Sequence, residues 1–145
     1  MSSQTQQSHH GKNRNKPPDS LKLFDKNLDI VDVSVLVENA KHNAQIFHVQ
    51  EITVNQIRNF YGSVNKLKLR YAANKNDEQL IKDLWLLLPQ LAYAKGRHSR
   101  TLKFCESMEN AIDKIINSDH PGNAASNFFI YVESVVAYHK FYGDK

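Results

Sequence analysis

The stretch DEQLIKDLWLLLPQL, residues 77–91, is the most apolar part of this chain and decides its fold. Its apolar residues recur at steps of three and four, which predicts a helix with one buried face. Asp77 is a suitable N-cap for that helix. We expect the helix to form the centre of the core, with these side chains directed inward: Leu80, Ile81, Leu84, Trp85, Leu87, Leu88 and Leu91.

A proline near the end of this stretch should disturb the helix. Pro89 lacks a backbone N–H, and its ring clashes with the carbonyl four residues earlier. We expect the helix to kink or break near Leu88, to resume toward Lys95 and to end at Gly96.

Four more helices are predicted around it. Thr53 and Gln56 have the spacing of a capping box, so a helix should begin there. No alternating strand pattern extends beyond a few residues, and the sequence therefore predicts an all-α fold, an irregular bundle of about five helices. The four helices cover about 33–47, 53 to the polar stretch at 74–77, 100–117 and 124–141, with the inward residues Val33, Leu36, Val37, Ala40, Ala44, Phe47, Ile57, Phe60, Tyr61, Val64, Leu67, Tyr71, Leu102, Cys105, Met108, Ile112, Ile115, Phe128, Val132, Val135, Val136 and His139.

The N-terminal residues differ in composition from the rest of the chain. Residues 1–20 are mostly Ser, Gln, Asn, His and Lys and contain Pro17-Pro18, so they bury too little apolar surface to offset the entropy of ordering. The remaining length suits one hydrophobic core. We expect a flexible arm over 1–27 and a single helical-bundle domain over 28–145.

Composition excludes several classes of protein. No stretch approaches the roughly 18 consecutive apolar residues of a membrane span, and no apolar run follows the basic N-terminal residues as a secretory signal requires. The sequence therefore predicts a cytoplasmic protein. Cys105, the single cysteine, cannot form an internal disulfide and is expected to fill the core.

The sequence carries no recognisable catalytic or metal-binding motif. Among the seven histidines, Glu38 with His42 is the one pair of plausible ligands at a spacing of four, and such a pair is usually a surface contact. No Gly-x-Ser-x-Gly sequence or glycine-rich phosphate loop occurs. We expect no enzymatic activity, no metal and no cofactor.

Positive charge is concentrated in the middle of the chain. Residues 54–100 carry nine Lys and Arg against three acidic residues, whereas residues 28–53 and 101–145 are net acidic. This distribution is typical of a protein with one face against a polyanion, although on charge alone a solvated helix face is the favoured explanation. Tyr61, Tyr71 and Tyr93 lie among the basic residues. The candidate RNA-binding residues are Arg58, Lys66, Lys68, Arg70, Lys95, Arg97, His98 and Arg100.

Three segments together resemble a known family. ITVNQIRNFY at 52–61, LAYAKGR at 91–97 and VESVVAYHKFYG at 132–143 are similar, in order and spacing, to motifs in the small subunit of type III-A (Csm-type) CRISPR effector complexes. Arg58 corresponds to the arginine of the first motif, and Gly96-Arg97 to the Gly-Arg pair of the second. The other six candidates rest on charge and helical spacing.

The resemblance implies the function and the partners. Members of that family are small helical proteins without nuclease activity that stack in several copies and contact the backbone of CRISPR RNA and target RNA in antiviral defence. Cleavage and signalling belong to the backbone and large subunits of the complex. Base pairing between the guide RNA and its target then supplies the sequence specificity.

Alternative interpretations remain open at this point. Arg58 could pair with an acid such as Glu51, and Arg97 could cap the carbonyls near Gly96. The second and third predicted helices could form the helix-turn-helix of a DNA-binding regulator, although a recognition helix should be more polar than residues 80–91. A structural adapter that contacts only protein is the other alternative.

Overall fold

The computed structural model of the protein describes residues 18–144, and five α-helices account for most of them. Within this range there is no strand, and no helix is both long and apolar enough to cross a membrane. The prediction of an all-α bundle of about five helices is confirmed. The helices are α1 (Val33–Val49), α2 (Val54–Asn74), α3 (Asp77–Arg97), α4 (Leu102–Ile116) and α5 (Pro121–Gly143), with 3-10 turns at Leu28–Ile30 and Ser99–Thr101.

Local sequence signals set the ends of α2 and α3. At the start of α2, Thr53 Oγ1 accepts a hydrogen bond from the Gln56 N–H at 3.1 Å, and Gln56 Oε1 accepts one from the Thr53 N–H at 2.9 Å, so the predicted capping box is confirmed. Lys75 ends α2 in a left-handed conformation (φ 53°). Asn76, rather than the predicted Asp77, caps α3 by accepting from the Gln79 N–H at 3.0 Å.

The centre of the bundle is α5, not the helix that contains residues 77–91. α5 packs against each of the other four helices, and its buried residues cover a wide arc of the helix surface. α3 buries a single stripe, Leu80, Leu84, Leu87 and Leu91. The expectation of a central third helix was therefore wrong. The buried residues of α5 are Ala124, Ala125, Phe128, Phe129, Tyr131, Val132, Val135 and His139.

Several residues predicted to face inward lie at the surface. Trp85 is 55% exposed because it falls outside the buried stripe of α3. Val33 and Leu102 are the first residues of α1 and α4, at helix ends that the bundle does not cover, and both are exposed. Cys105 is fully buried in the core, as predicted.

Pro89 does not break α3. The helix is continuous from Asp77 through Arg97, and Pro89 lies on its exposed side. Leu91 therefore stays on the same face as Leu84, and both are buried. Gly96 lies inside the helix, which ends one residue later than expected.

The segment before the first 3-10 turn packs on the bundle. The Lys22 N–H donates to Asn43 Oδ1 and the Phe24 N–H donates to Asn110 Oδ1, both at 2.8 Å. The ring of Phe24 is buried and meets Tyr131 edge-on, with 5.0 Å between ring centres. Residues 1–17 of the arm predicted over 1–27 lie outside the described range. Residues 21–24 of that arm pack on the bundle through contacts with α1, α4 and α5.

Candidate nucleic-acid interface

α2 and α3 form an antiparallel pair that carries most of the candidate residues. Only Lys75 and Asn76 separate the two helices, so α3 turns back along α2. The contacts follow that direction: Arg70, near the end of α2, bonds Asp83, near the start of α3. At the other end, Asn59 of α2 and Tyr93 of α3 border the same pocket.

Three pockets follow one another along the contact between α2 and α3, and we call this line of pockets the α2–α3 seam. Its floor is apolar, and polar side chains stand at its edges, because the apolar stripes of both helices face the core. The seam is lined by Gln56, Asn59, Ser63, Lys66 and Arg70 from α2 and by Asp83, Leu86, Gln90, Tyr93 and Arg97 from α3.

A pocket of about 240 Å³ lies at the end of the seam nearest the α3–α4 turn, and we call it the Tyr93 pocket. Thr101 holds that turn in place, since its buried hydroxyl donates toward the carbonyl oxygens of Ala94 and His98 at 3.0 and 2.7 Å. The floor of the pocket consists of the buried residues Ile52, Phe60, Leu91, Phe104 and Cys105. Its polar rim consists of Gln56, Asn59, Gln90, Tyr93, Arg97 and His98.

Three of the eight candidate residues are paired with acids. Lys68 Nζ lies 2.8 Å from Glu133 of α5, and Lys95 Nζ lies 3.0 Å from Glu109 of α4. Arg70 Nη2 lies 2.7 Å from Asp83 Oδ1 across the seam. The hydrogen bond to the neighbouring glutamate raises the pKa of both Lys68 and Lys95, so each pair stays ionised and its charges compensate each other.

The other five candidates have no acidic partner among residues 18–144. The exposed side chains of Arg58, Lys66, His98 and Arg100 make no ion pair or hydrogen bond there. Arg97 bonds a neutral group, the hydroxyl of Tyr93, at 3.0 Å, and its guanidinium carbon lies 5.5 Å from the centre of that ring. These charges are therefore available to an external anion.

The free cations do not lie on one face. Lys66, Arg97 and His98 line the seam or its pocket, and Arg100 is exposed in the adjoining 3-10 turn. Arg58 lies on the other flank of α2, in a small groove against Val136 and Lys140 of α5. Arg58, Gly62, Lys66 and Arg70 follow one another at steps of four along α2, but only Lys66 and Arg70 line the seam.

The alternatives for the two arginines can be compared with this geometry. Arg58 makes no ion pair with Glu51. The carbonyl of Ala94, near the end of α3, is bonded by the His98 N–H and the Thr101 hydroxyl, so Arg97 does not cap it.

Sequence reasoning missed the amides of the seam. Asn59 and Gln90 border the Tyr93 pocket, and neither side chain makes a hydrogen bond within residues 18–144. Gln56 also borders it, but its carbonyl oxygen is used by the capping box. Their spacing could have indicated this position, because three- and four-residue steps place side chains on one helix face. Asn59 lies three residues after Gln56, and Gln90 lies three residues before Tyr93 and seven before Arg97.

The side chains that commonly bind metal ions do not come together in the described part of the chain. No cluster of three or more His, Cys, Asp and Glu side chains there could hold a metal ion. Burial raises the pKa of the Cys105 thiol, which therefore stays protonated and unreactive.

The chain matches the model of one known protein family. Residues 31–145 match the family model described as Csm2 Type III-A. No curated protein and no solved structure matches the chain significantly. The matched range includes all five helices, the seam and the Tyr93 pocket.

Proposed function

The chain belongs to the Csm2 type III-A family, as a small subunit of the type III-A CRISPR effector complex, and on that premise we propose that it is a non-catalytic RNA-binding subunit. It binds the backbones of CRISPR RNA and target RNA, stacks in several copies beside the backbone and large subunits, and acts in cytoplasmic antiviral defence.

The uncompensated cations around α2 and α3 carry this proposal. Among residues 18–144, Arg58, Lys66, Arg97 and Arg100 have no acidic partner, whereas three other basic residues of the region are neutralised by Glu133, Asp83 and Glu109. A polyanion that approaches this side meets positive charge, and each phosphate it neutralises releases counterions.

The arrangement suits binding to an RNA backbone rather than reading of a DNA sequence. A recognition helix presents polar side chains to base edges in a major groove. The exposed surface of α3 instead carries Trp85, Leu86 and Tyr93, which are 55%, 69% and 66% exposed. This composition argues against the DNA-binding regulator.

Exposed apolar side chains support contacts with other proteins in the complex. Trp85 and Pro89 of α3 border an open groove between α3 and α4, with Ile116 on the other wall. This groove lies on the side of α3 away from the seam. Copies of the subunit and neighbouring subunits can therefore contact the protein without covering the cations of the seam.

The proposal is tested by comparing two double variants of the full chain. Arg58→Gln/Arg97→Gln removes two free charges, and Lys68→Gln/Lys95→Gln removes two paired ones, so both change the net charge of +4 by the same amount. Binding of fluorescently labelled single-stranded RNA is measured as a function of salt, with the chain alone and in the assembled complex.

We expect the first variant to bind more weakly for every RNA sequence, with its salt slope reduced by about 0.7 for each phosphate that the protein no longer neutralises. The second leaves Glu133 and Glu109 unpaired but removes no phosphate contact, so it should lower the affinity less and leave the salt slope unchanged. Equal binding by wild type and both variants in the assembled complex would contradict the proposal and favour an adapter that contacts only protein.

A further inference from the structure

We propose that the Tyr93 pocket binds a single unstacked nucleobase of single-stranded RNA. This inference rests on the proposed RNA-binding function and adds the chemical group that enters the protein. The cations of the seam would hold the phosphates, and the pocket would take one base from the same strand.

The size of the pocket suits one base. Its volume of about 240 Å³ is below the roughly 300–1,000 Å³ of pockets for drug-sized ligands. It can accept a flat heterocycle, while the sugar and phosphate stay outside at the rim. Arg97 and His98 lie at that rim, where the charge of a phosphate would be.

The chemistry of the walls also matches a base. The apolar floor, with Phe60, Leu91 and Phe104, offers a dry surface for an aromatic face. Tyr93 is 66% exposed, so most of its ring is available for stacking, and its hydroxyl is held by Arg97. Bases in single-stranded RNA are commonly stacked on aromatic side chains or on guanidinium planes.

The free amides complete the match. Asn59 and Gln90 each present a donor and an acceptor at the pocket and use neither within residues 18–144. The hydrogen-bonding edge of every base also combines donors with acceptors. Because an amide side chain can rotate to exchange the two, the pocket would accept more than one base, consistent with a protein that leaves sequence recognition to guide pairing.

The experiment compares two RNA probes with the full-length protein. One is a labelled oligouridylate of about ten nucleotides, and the other is an abasic ribose-phosphate chain of equal length and charge. Tyr93→Leu removes the stacking ring and Tyr93→Phe retains it. Lys66→Gln removes a seam charge outside the pocket.

For wild type we expect the oligouridylate to bind about tenfold more tightly than the abasic chain, as for stacking of one base. Tyr93→Leu should bring this ratio close to one, and Tyr93→Phe should preserve it. Lys66→Gln should weaken binding of both probes by the same factor.

Two results would overturn the inference and leave RNA binding intact: equal, salt-sensitive binding of both probes by wild type, or a base preference that Tyr93→Leu does not change. If wild type bound neither probe even at low salt, the inference and the RNA-binding function of the chain would both fall.

Discussion

Arg70 Nη2 lies 2.7 Å from Asp83 Oδ1, and this contact joins the end of α2 to the start of α3 across the seam. The Arg70 side chain is largely exposed, whereas that of Asp83 is 13% exposed and also accepts a hydrogen bond from Gln79. The acid therefore cancels the charge of one of the two basic residues, Lys66 and Arg70, that α2 places on the seam.

Removing that acid should strengthen RNA binding. Asp83→Asn keeps the size of the side chain and its carbonyl acceptor but leaves the charge of Arg70 uncompensated. One extra phosphate contact should raise the affinity for single-stranded RNA roughly threefold near physiological salt and steepen the salt slope by about 0.7. Fluorescence anisotropy over a salt series measures both quantities.

Glu38→Gln is the matched control, because it adds the same charge on α1, where Glu38 is exposed and makes no ion pair within residues 18–144. Equal gains from the two variants would show a general charge effect and would speak against the seam as the binding surface.

The buried hydroxyl of Tyr131 should contribute strongly to stability. It accepts a hydrogen bond from Asn43 Nδ2 at 2.8 Å and is bonded to the Ser107 hydroxyl, so it links α1, α4 and α5. Tyr131→Phe leaves both partners short of a hydrogen bond in the core and should lower the free energy of unfolding by about 1–3 kcal/mol. Urea titration measures this loss. The hydroxyl of Tyr138 has no partner within residues 18–144, so Tyr138→Phe should have little effect on the free energy of unfolding.

Stability should fall in mild acid because of His139. Burial lowers the pKa of this imidazole from 6.5, and nearby His48 lowers it further, while donation from Nε2 to the Ile52 carbonyl at 3.2 Å opposes the shift. The unfolded chain takes up the proton near pH 6.5 and the folded chain only at lower pH, so stability is lost as the pH falls below about 6.5.

His139→Gln can retain the hydrogen bond to Ile52 but cannot titrate. Thermal unfolding of the variant between pH 7.5 and 5.5 should show a smaller decline than that of wild type. Parallel curves for the two proteins would exclude His139 as the source of the acid sensitivity.

The capping box at the start of α2 should have a measurable contribution of its own. Thr53→Ala removes the acceptor for the Gln56 N–H and should cost about 1 kcal/mol of stability. Thr53→Ser keeps an oxygen at the same place and should recover most of that loss. Chemical denaturation distinguishes the two, and an equal loss in both variants would mean that the methyl group of Thr53 matters more than its hydroxyl.

The helices and their ends could be read from the sequence because they depend on near neighbours. Apolar residues at three- and four-residue steps marked the five helices, and the Thr53–Gln56 spacing gave the correct start of α2. The family could also be recognised from short motifs, and the match over residues 31–145 confirms it.

Only the tertiary structure decided which apolar residues are buried and which charged residues are paired. Periodicity could not show that α5 takes the centre while Trp85 of α3 stays exposed, because burial depends on which helices surround each face. Charge alone could not separate Arg97, free beside Tyr93, from Lys95, neutralised by Glu109 of another helix. The sequence by itself therefore determined the helices and the concentration of positive charge, whereas packing of distant segments selected the charges that remain available and formed the Tyr93 pocket.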